Sequence, residues 1–123
     1  GGGLEVLTRL DVFIINVLGV WGVFALAFAL AATSAVGFGL IAAYTMLINA
    51  IVHVAQAARL RTYNPGLATG VMLFLPVSIW ALLAISREGA GWGWHLLGIA
   101  ASLLLHAMII VHVFNRLRRL RAT

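Results

Sequence analysis

The residues of this chain whose types could do chemistry are histidines and amides set among apolar side chains. Thr45, Asn49, His53 and Gln56 recur at three- and four-residue intervals. At 100° per residue they fall within about 80° of helical arc. Four polar groups on one stripe do not face hydrocarbon, where unsatisfied groups are costly. They predict a polar pocket, or a structural seam in which each interhelical bond contributes about 1 kcal/mol or less. A second set, His95, His106 and His112, sits on the last apolar run. His95 and His106 share a face but stand ~16 Å apart along the axis, too far for one metal ion. His53 precedes Arg59 by six residues and His106 precedes Arg116 by ten, which places the two at similar depth. A His53–His106 or His53–His112 pair could clamp a haem between two helices. A single histidine, with small Ser102 one turn before His106, could ligate the magnesium of a (bacterio)chlorophyll. Hydrogen bonding to Asn49, Gln56, Ser102 or a backbone carbonyl is the plainer role. His95 reads as an interfacial residue beside Trp94.

Other chemistries find little support. The acids are Glu5, Asp11 and Glu88, all at the ends or in connections of apolar runs. A proton-coupled transporter usually shows a carboxylate at membrane depth. Paired carboxylates, G-x-S-x-G, H-E-x-x-H, a P-loop and a dinucleotide-binding glycine pattern do not occur in the sequence. There is no cysteine, which removes thiolate metal sites and iron–sulfur clusters. No catalytic residue and no metal site is therefore expected.

The elements that must position these residues are four long apolar runs, at about 10–32, 36–58, 65–85 and 94–114. Each has roughly the 20 residues needed to cross a bilayer core of ~30 Å. Of the 123 residues, 63% are hydrophobic and 9% charged, whereas soluble domains carry roughly 25% charged residues. The whole of 1–123 reads as one transmembrane domain. Thr33-Ser34 makes a minimal turn, and Ser34 can cap the helix that follows. At Tyr63-Asn64-Pro65-Gly66, Asn64 suits a helix N-cap with Pro65 as the first helical residue. A type II turn centred on Pro65 and Gly66 is the alternative. Pro76 interrupts the third run, and a kink is expected there, with Ser78 helping to satisfy the freed carbonyl of Met72.

Connections this short make neighbouring helices antiparallel, so the expected fold is an all-α, up-and-down four-helix membrane bundle. All eight basic residues are arginine. Arg9, Arg59, Arg61, Arg116, Arg118, Arg119 and Arg121 share one side, and only Arg87 lies opposite. The positive-inside rule then places both termini in the cytoplasm. Trp92, Trp94 and Trp80 suit an aromatic belt at the outer interface. Small-residue stripes at Ala25/Ala29, Ala35/Gly39/Ala43 and Gly66/Gly70 permit close helix approach, within the chain or against a partner. The arginines end apolar runs, so their excess reflects topology and not nucleic-acid binding. Arg116, Arg118, Arg119 and Arg121 suit anionic head groups, at about 1 kcal/mol per charge, or an acidic partner subunit.

The string Asn49-x-x-x-His53, Arg61-Thr62-Tyr63-Asn64-Pro65-Gly66-Leu67-x-Thr69 and Leu75-Pro76 resembles the C-terminal half of the HXXEE-domain family of bacterial membrane proteins. The resemblance covers about residues 49–76. The His-x-x-Glu-Glu motif that names that family is absent, so any role resting on it does not transfer. The resemblance implies a shared scaffold in a family whose function is not defined, and a diverged relative without that motif could persist as a structural subunit.

The expectation is a small inner-membrane protein, a non-catalytic accessory or structural subunit of a respiratory or photosynthetic complex. Its partners would be the lipid bilayer and other membrane subunits. A histidine-ligated haem or (bacterio)chlorophyll protein is the first alternative. A small transporter or membrane enzyme built on the Thr45–Gln56 stripe is the second.

Overall fold

The computed structural model describes residues 8–64 and 66–123, without the side chains of Val12 and Asn16. All regular structure among them is helical. The first run comprises α1 (Arg9–Ile14), a π-helical segment (Ile15–Trp21) and α2 (Gly22–Thr33). A single 3₁₀ turn (Val36–Phe38) leads into α3 (Gly39–Leu60). A short α4 (Leu67–Thr69), a second π segment (Gly70–Phe74) and α5 (Leu75–Arg87) form the third run. The last is α6 (Trp92–Ala122). Three runs are long and apolar enough to cross a membrane: Val36–Leu60, Leu67–Arg87 and Trp92–Ala122. Val17–Thr33 is a shorter apolar helix.

α3 is the centre of the fold. In its apolar stretch 39% of the residues are buried, against 11% in each of the other two long runs. Small residues set its approaches. Gly39 faces Ile85 of α5, and a Cβ there would come within 2.9 Å of that side chain. Gly70 lies on the backbone of Ala50, and Gly98 of α6 lies on the Leu40 carbonyl, where a Cβ would stand 3.0 Å away. Gly37 makes room for the indole of Trp94, which also packs edge-on against Phe38 at 4.8 Å. Trp94 is therefore a half-buried packing residue, whereas Trp80 and Trp92 are exposed. Ala25 and Ala29 are exposed, and α2 buries Phe24 and Ala27 instead.

The helix ends depart from the expected chemistry. Ser34 does not N-cap the helix that follows; it closes α2 through its backbone N–H to Leu30. Thr8 and Asp11 form a reciprocal cap at the first helix, with Thr8 N–H to Asp11 Oδ2 at 2.8 Å and Asp11 N–H to Thr8 Oγ1 at 3.1 Å. At the second turn Leu67 N–H reaches the Asn64 carbonyl at 3.2 Å, and Gly66 sits at φ 93°, ψ −12°. Those are the marks of a type II turn; Pro65 itself lies outside the described residues. Before Pro76 the chain widens into a π segment, with Leu75 N–H bonded to Gly70 five residues back. A π turn is a recognised way to absorb a local break in the α ladder. Ser78 donates to the Leu75 carbonyl at 3.0 Å, not to Met72. α6 has 31 residues, or ~46 Å at 1.5 Å each. It outruns a bilayer core of ~30 Å, and so the C-terminal arginines are helical.

Candidate functional site

The polar stripe of α3 divides by depth and direction. Thr45 is buried and donates to the Ile41 carbonyl of its own helix at 2.7 Å. Gln56 is exposed, beside Arg59 on the outer flank of α3. Asn49 and His53 line a cavity of about 250 Å³. Its other walls come from the first run (Val20 and Trp21), from the turn (Gly66), from α4 (Thr69) and from the second π segment (Leu73 and Phe74). Both π segments thus meet at one cavity. The aromatic wall is continuous: Phe24 packs edge-on against Trp21 at 5.9 Å and against Phe74 at 6.1 Å.

His53 is held by the turn after its own helix. Asn64 donates through Nδ2 to the His53 carbonyl at 3.0 Å. That leaves Asn64 Oδ1 as an acceptor, and His53 Nδ1 lies 2.6 Å from it. The His53 proton is therefore on Nδ1, and Nε2 carries a lone pair. Gly66 lies against that edge of the ring: a Cβ there would stand 2.9 Å from Cε1 and 3.0 Å from Nε2. Gly66 is required twice, for its positive φ and for the space beside His53. Asn64, read from sequence as a helix cap, instead sets a histidine tautomer.

The remaining histidines are placed apart. His106 Nδ1 donates to the Ser102 carbonyl of the preceding turn at 2.8 Å, so its Nε2 also carries a lone pair. His112 is exposed and lines a separate cleft with Asn115, Arg116 and Arg119. Arg116 turns back to Asp11, with contacts of 3.2 Å from NH1 to Oδ1 and from NH2 to Oδ2. This two-pronged pair ties the start of the first helix to the end of α6. Arg118, Arg119 and Arg121 are exposed.

One cluster was not anticipated. Ser86 donates to the Leu82 carbonyl at 2.6 Å. Its single hydrogen is thereby committed, so it accepts from His95 Nε2 at 3.1 Å. His95 Nδ1 then accepts the Tyr44 hydroxyl at 2.7 Å. The chain Tyr44–His95–Ser86 joins α3, α6 and α5, and Trp92 lies 5.8 Å from the same imidazole. It resembles a Ser–His pair, but Ser86 gives its proton away and His95 offers it no lone pair. The arrangement is structural and not that of an activated nucleophile. The sequence signal available was weak: Tyr44 and His95 each lie a few residues inside a helix start at the same end.

Among the described residues no group of three or more potential metal ligands converges. No curated protein and no solved structure matches this chain. One family does, described as a protein of unknown function with HXXEE motif, over residues 4–81. That match extends the resemblance of residues 49–76 back into the first helical run. It takes in every residue lining the His53 cavity and ends before α6. The His-x-x-Glu-Glu string itself does not occur in this sequence. On the extent of that match, the chain belongs to the HXXEE family.

Proposed function

We propose that this chain crosses a bacterial inner membrane four times, as an antiparallel up-and-down bundle with both termini cytoplasmic, and serves as a non-catalytic subunit of a larger membrane complex. The Asp11–Arg116 pair supports opposed directions for the first run and α6. The Tyr44–His95 bond near both helix starts supports parallel directions for α3 and α6. The arginine asymmetry supports the cytoplasmic assignment.

One observation carries the subunit reading. The small residues Gly39, Gly70 and Gly98 are all consumed in packing within the chain. Ala25 and Ala29, one turn apart on α2, are exposed. Small residues are the usual means of close helix approach in lipid, and this pair is left for a helix from outside. A transmembrane helix of another subunit is the occupant proposed. Purification from native membranes in mild detergent tests it. A co-migrating subunit is expected, lost on Ala29→Leu while the chain itself stays folded. Recovery as a lone monomer overturns the reading.

Haem or (bacterio)chlorophyll ligation is the second reading, because His53 and His106 both keep an Nε2 lone pair. The His53 cavity, at about 250 Å³, lies below the roughly 300–1,000 Å³ of drug-sized pockets. A macrocycle would have to lie outside it, toward lipid. The absorption spectrum of protein purified with its cofactors decides: the absence of a Soret or near-infrared band removes this reading.

A further inference from the structure

We infer that the cavity beside His53 binds a lipid-soluble molecule with a single hydroxylated aromatic ring, a phenol or hydroquinone bearing an apolar chain. The ring hydroxyl donates to His53 Nε2. The direction of that bond follows from the protein. Asn64 holds the proton on Nδ1, so in the neutral imidazole the nitrogen beside Gly66 accepts. A ligand meeting it must bring a donor, and an ether or carbonyl oxygen in that place would face lone pair against lone pair.

Size, walls and access narrow the class. A volume of about 250 Å³ is roughly eight times the ~30 Å³ share of a water molecule, which matches one substituted ring. Trp21 and Phe74 give aromatic walls suited to offset or edge-on contact with that ring. Asn49 and Thr69 offer partners for a second polar substituent. Trp21, Thr69 and Leu73 are exposed at the rim. They face the surroundings of the bundle, so an apolar chain can leave through them into lipid.

The backbone around the cavity is also unusual. The two π segments of the described chain, Ile15–Trp21 and Gly70–Phe74, both contribute to its lining. π turns are rare and concentrate at functional sites. Only the second has a local cause in Pro76; the first run has no proline. Gly66 keeps the floor open, since any side chain there would press on the imidazole.

The test uses the full chain in lipid nanodiscs, with decylhydroquinone and its di-O-methyl ether as paired probes in equilibrium binding. The two have similar shape and partition into lipid, but only the first can donate. Saturable binding of the hydroquinone, at least tenfold tighter than the ether, is expected. Thr69→Val and His53→Ala should each weaken hydroquinone binding at least threefold and tenfold respectively. Leu104→Ala, on the exposed face of α6, should not change it. Equal binding of the two probes, or none that saturates, overturns the proposal. So does equal loss in Leu104→Ala and His53→Ala. Where His53→Ala does not fold, the probe pair on the unaltered chain still decides. The outcome is independent of whether another subunit binds at Ala25 and Ala29.

Discussion

His53 lies near the end of the central helix α3, His95 sits on α6 beside the start of α3, and each is locked by side chains from elsewhere in the chain. They are locked in opposite tautomers. His95 has both nitrogens committed, one to the Tyr44 hydroxyl and one to Ser86. His53 spends one nitrogen on Asn64 and turns the other to a cavity edged by Gly66. The two histidines therefore differ in kind. One closes a structural network, and the other keeps an acceptor in reserve. A histidine in an apolar helix is best judged by how many of its two nitrogens the fold has already used.

Several changes would break or sharpen that contrast. The largest effect is expected at Gly98, whose close approach to Leu40 and Tyr44 seats α6 on α3. Gly98→Leu should destabilise the fold by about 3 kcal/mol, as overpacking does, and dismantle the His95 network with it. Loss of thermal stability in detergent, with the Tyr44 environment exposed in fluorescence or NMR, measures this. Next comes His95→Ala, which strands the part-buried Tyr44 hydroxyl and severs the link from α6 to α5; about 2 kcal/mol should be lost. His53→Ala strands only Asn64, in a turn at the helix end, and about 1 kcal/mol is expected. If the two losses were equal, the distinction between a saturated and a reserved histidine would fail. Nitrogen chemical shifts sharpen the same point directly: His53 should report the Nδ1–H form and His95 the Nε2–H form.

Smaller effects lie at the ends. Asp11→Ala removes both the cap with Thr8 and the pair with Arg116. Thermal stability should fall, chiefly from loss of the cap, since an exposed ion pair contributes little. Added salt should therefore recover little of the difference between the variant and the original. Arg61 ends α3 in the left-handed region at φ 51°, where a β-carbon is strained. Arg61→Gly should raise stability by about 0.5 kcal/mol, visible as a small rise in melting temperature, with both histidine networks unchanged.

Much of this could be seen in the residues, and the misses have particular causes. The runs read at 36–58, 65–85 and 94–114 correspond to helical spans at Val36–Leu60, Leu67–Arg87 and Trp92–Ala122, because length and hydropathy are local properties. The last helix continues to Ala122, since arginine is a good helix former and nothing breaks the ladder there. Gly66 carried both candidate turns, and its positive φ selects the type II one. Trp94 looked interfacial but is packed on Gly37, because a glycine opposite an indole is only recognisable once the helices are seated. Asn49 and His53 were separated from Gln56 by the direction each faces, and that direction is set by the neighbours of α3 and not by its own sequence.

What the sequence by itself determined is the apolar length of each run, the places where the chain turns and its membership of the HXXEE family. These depend on composition and on residues near one another in the chain. Only the tertiary structure decided that His53 keeps one nitrogen free while His95 keeps none, that Arg116 answers Asp11, and that two π segments close on one cavity. Those outcomes rest on the rotation and depth of helices far apart in sequence. A hydrogen at Nδ1 or Nε2 follows the partner brought to it, as Tyr44 reaches His95 across 51 positions.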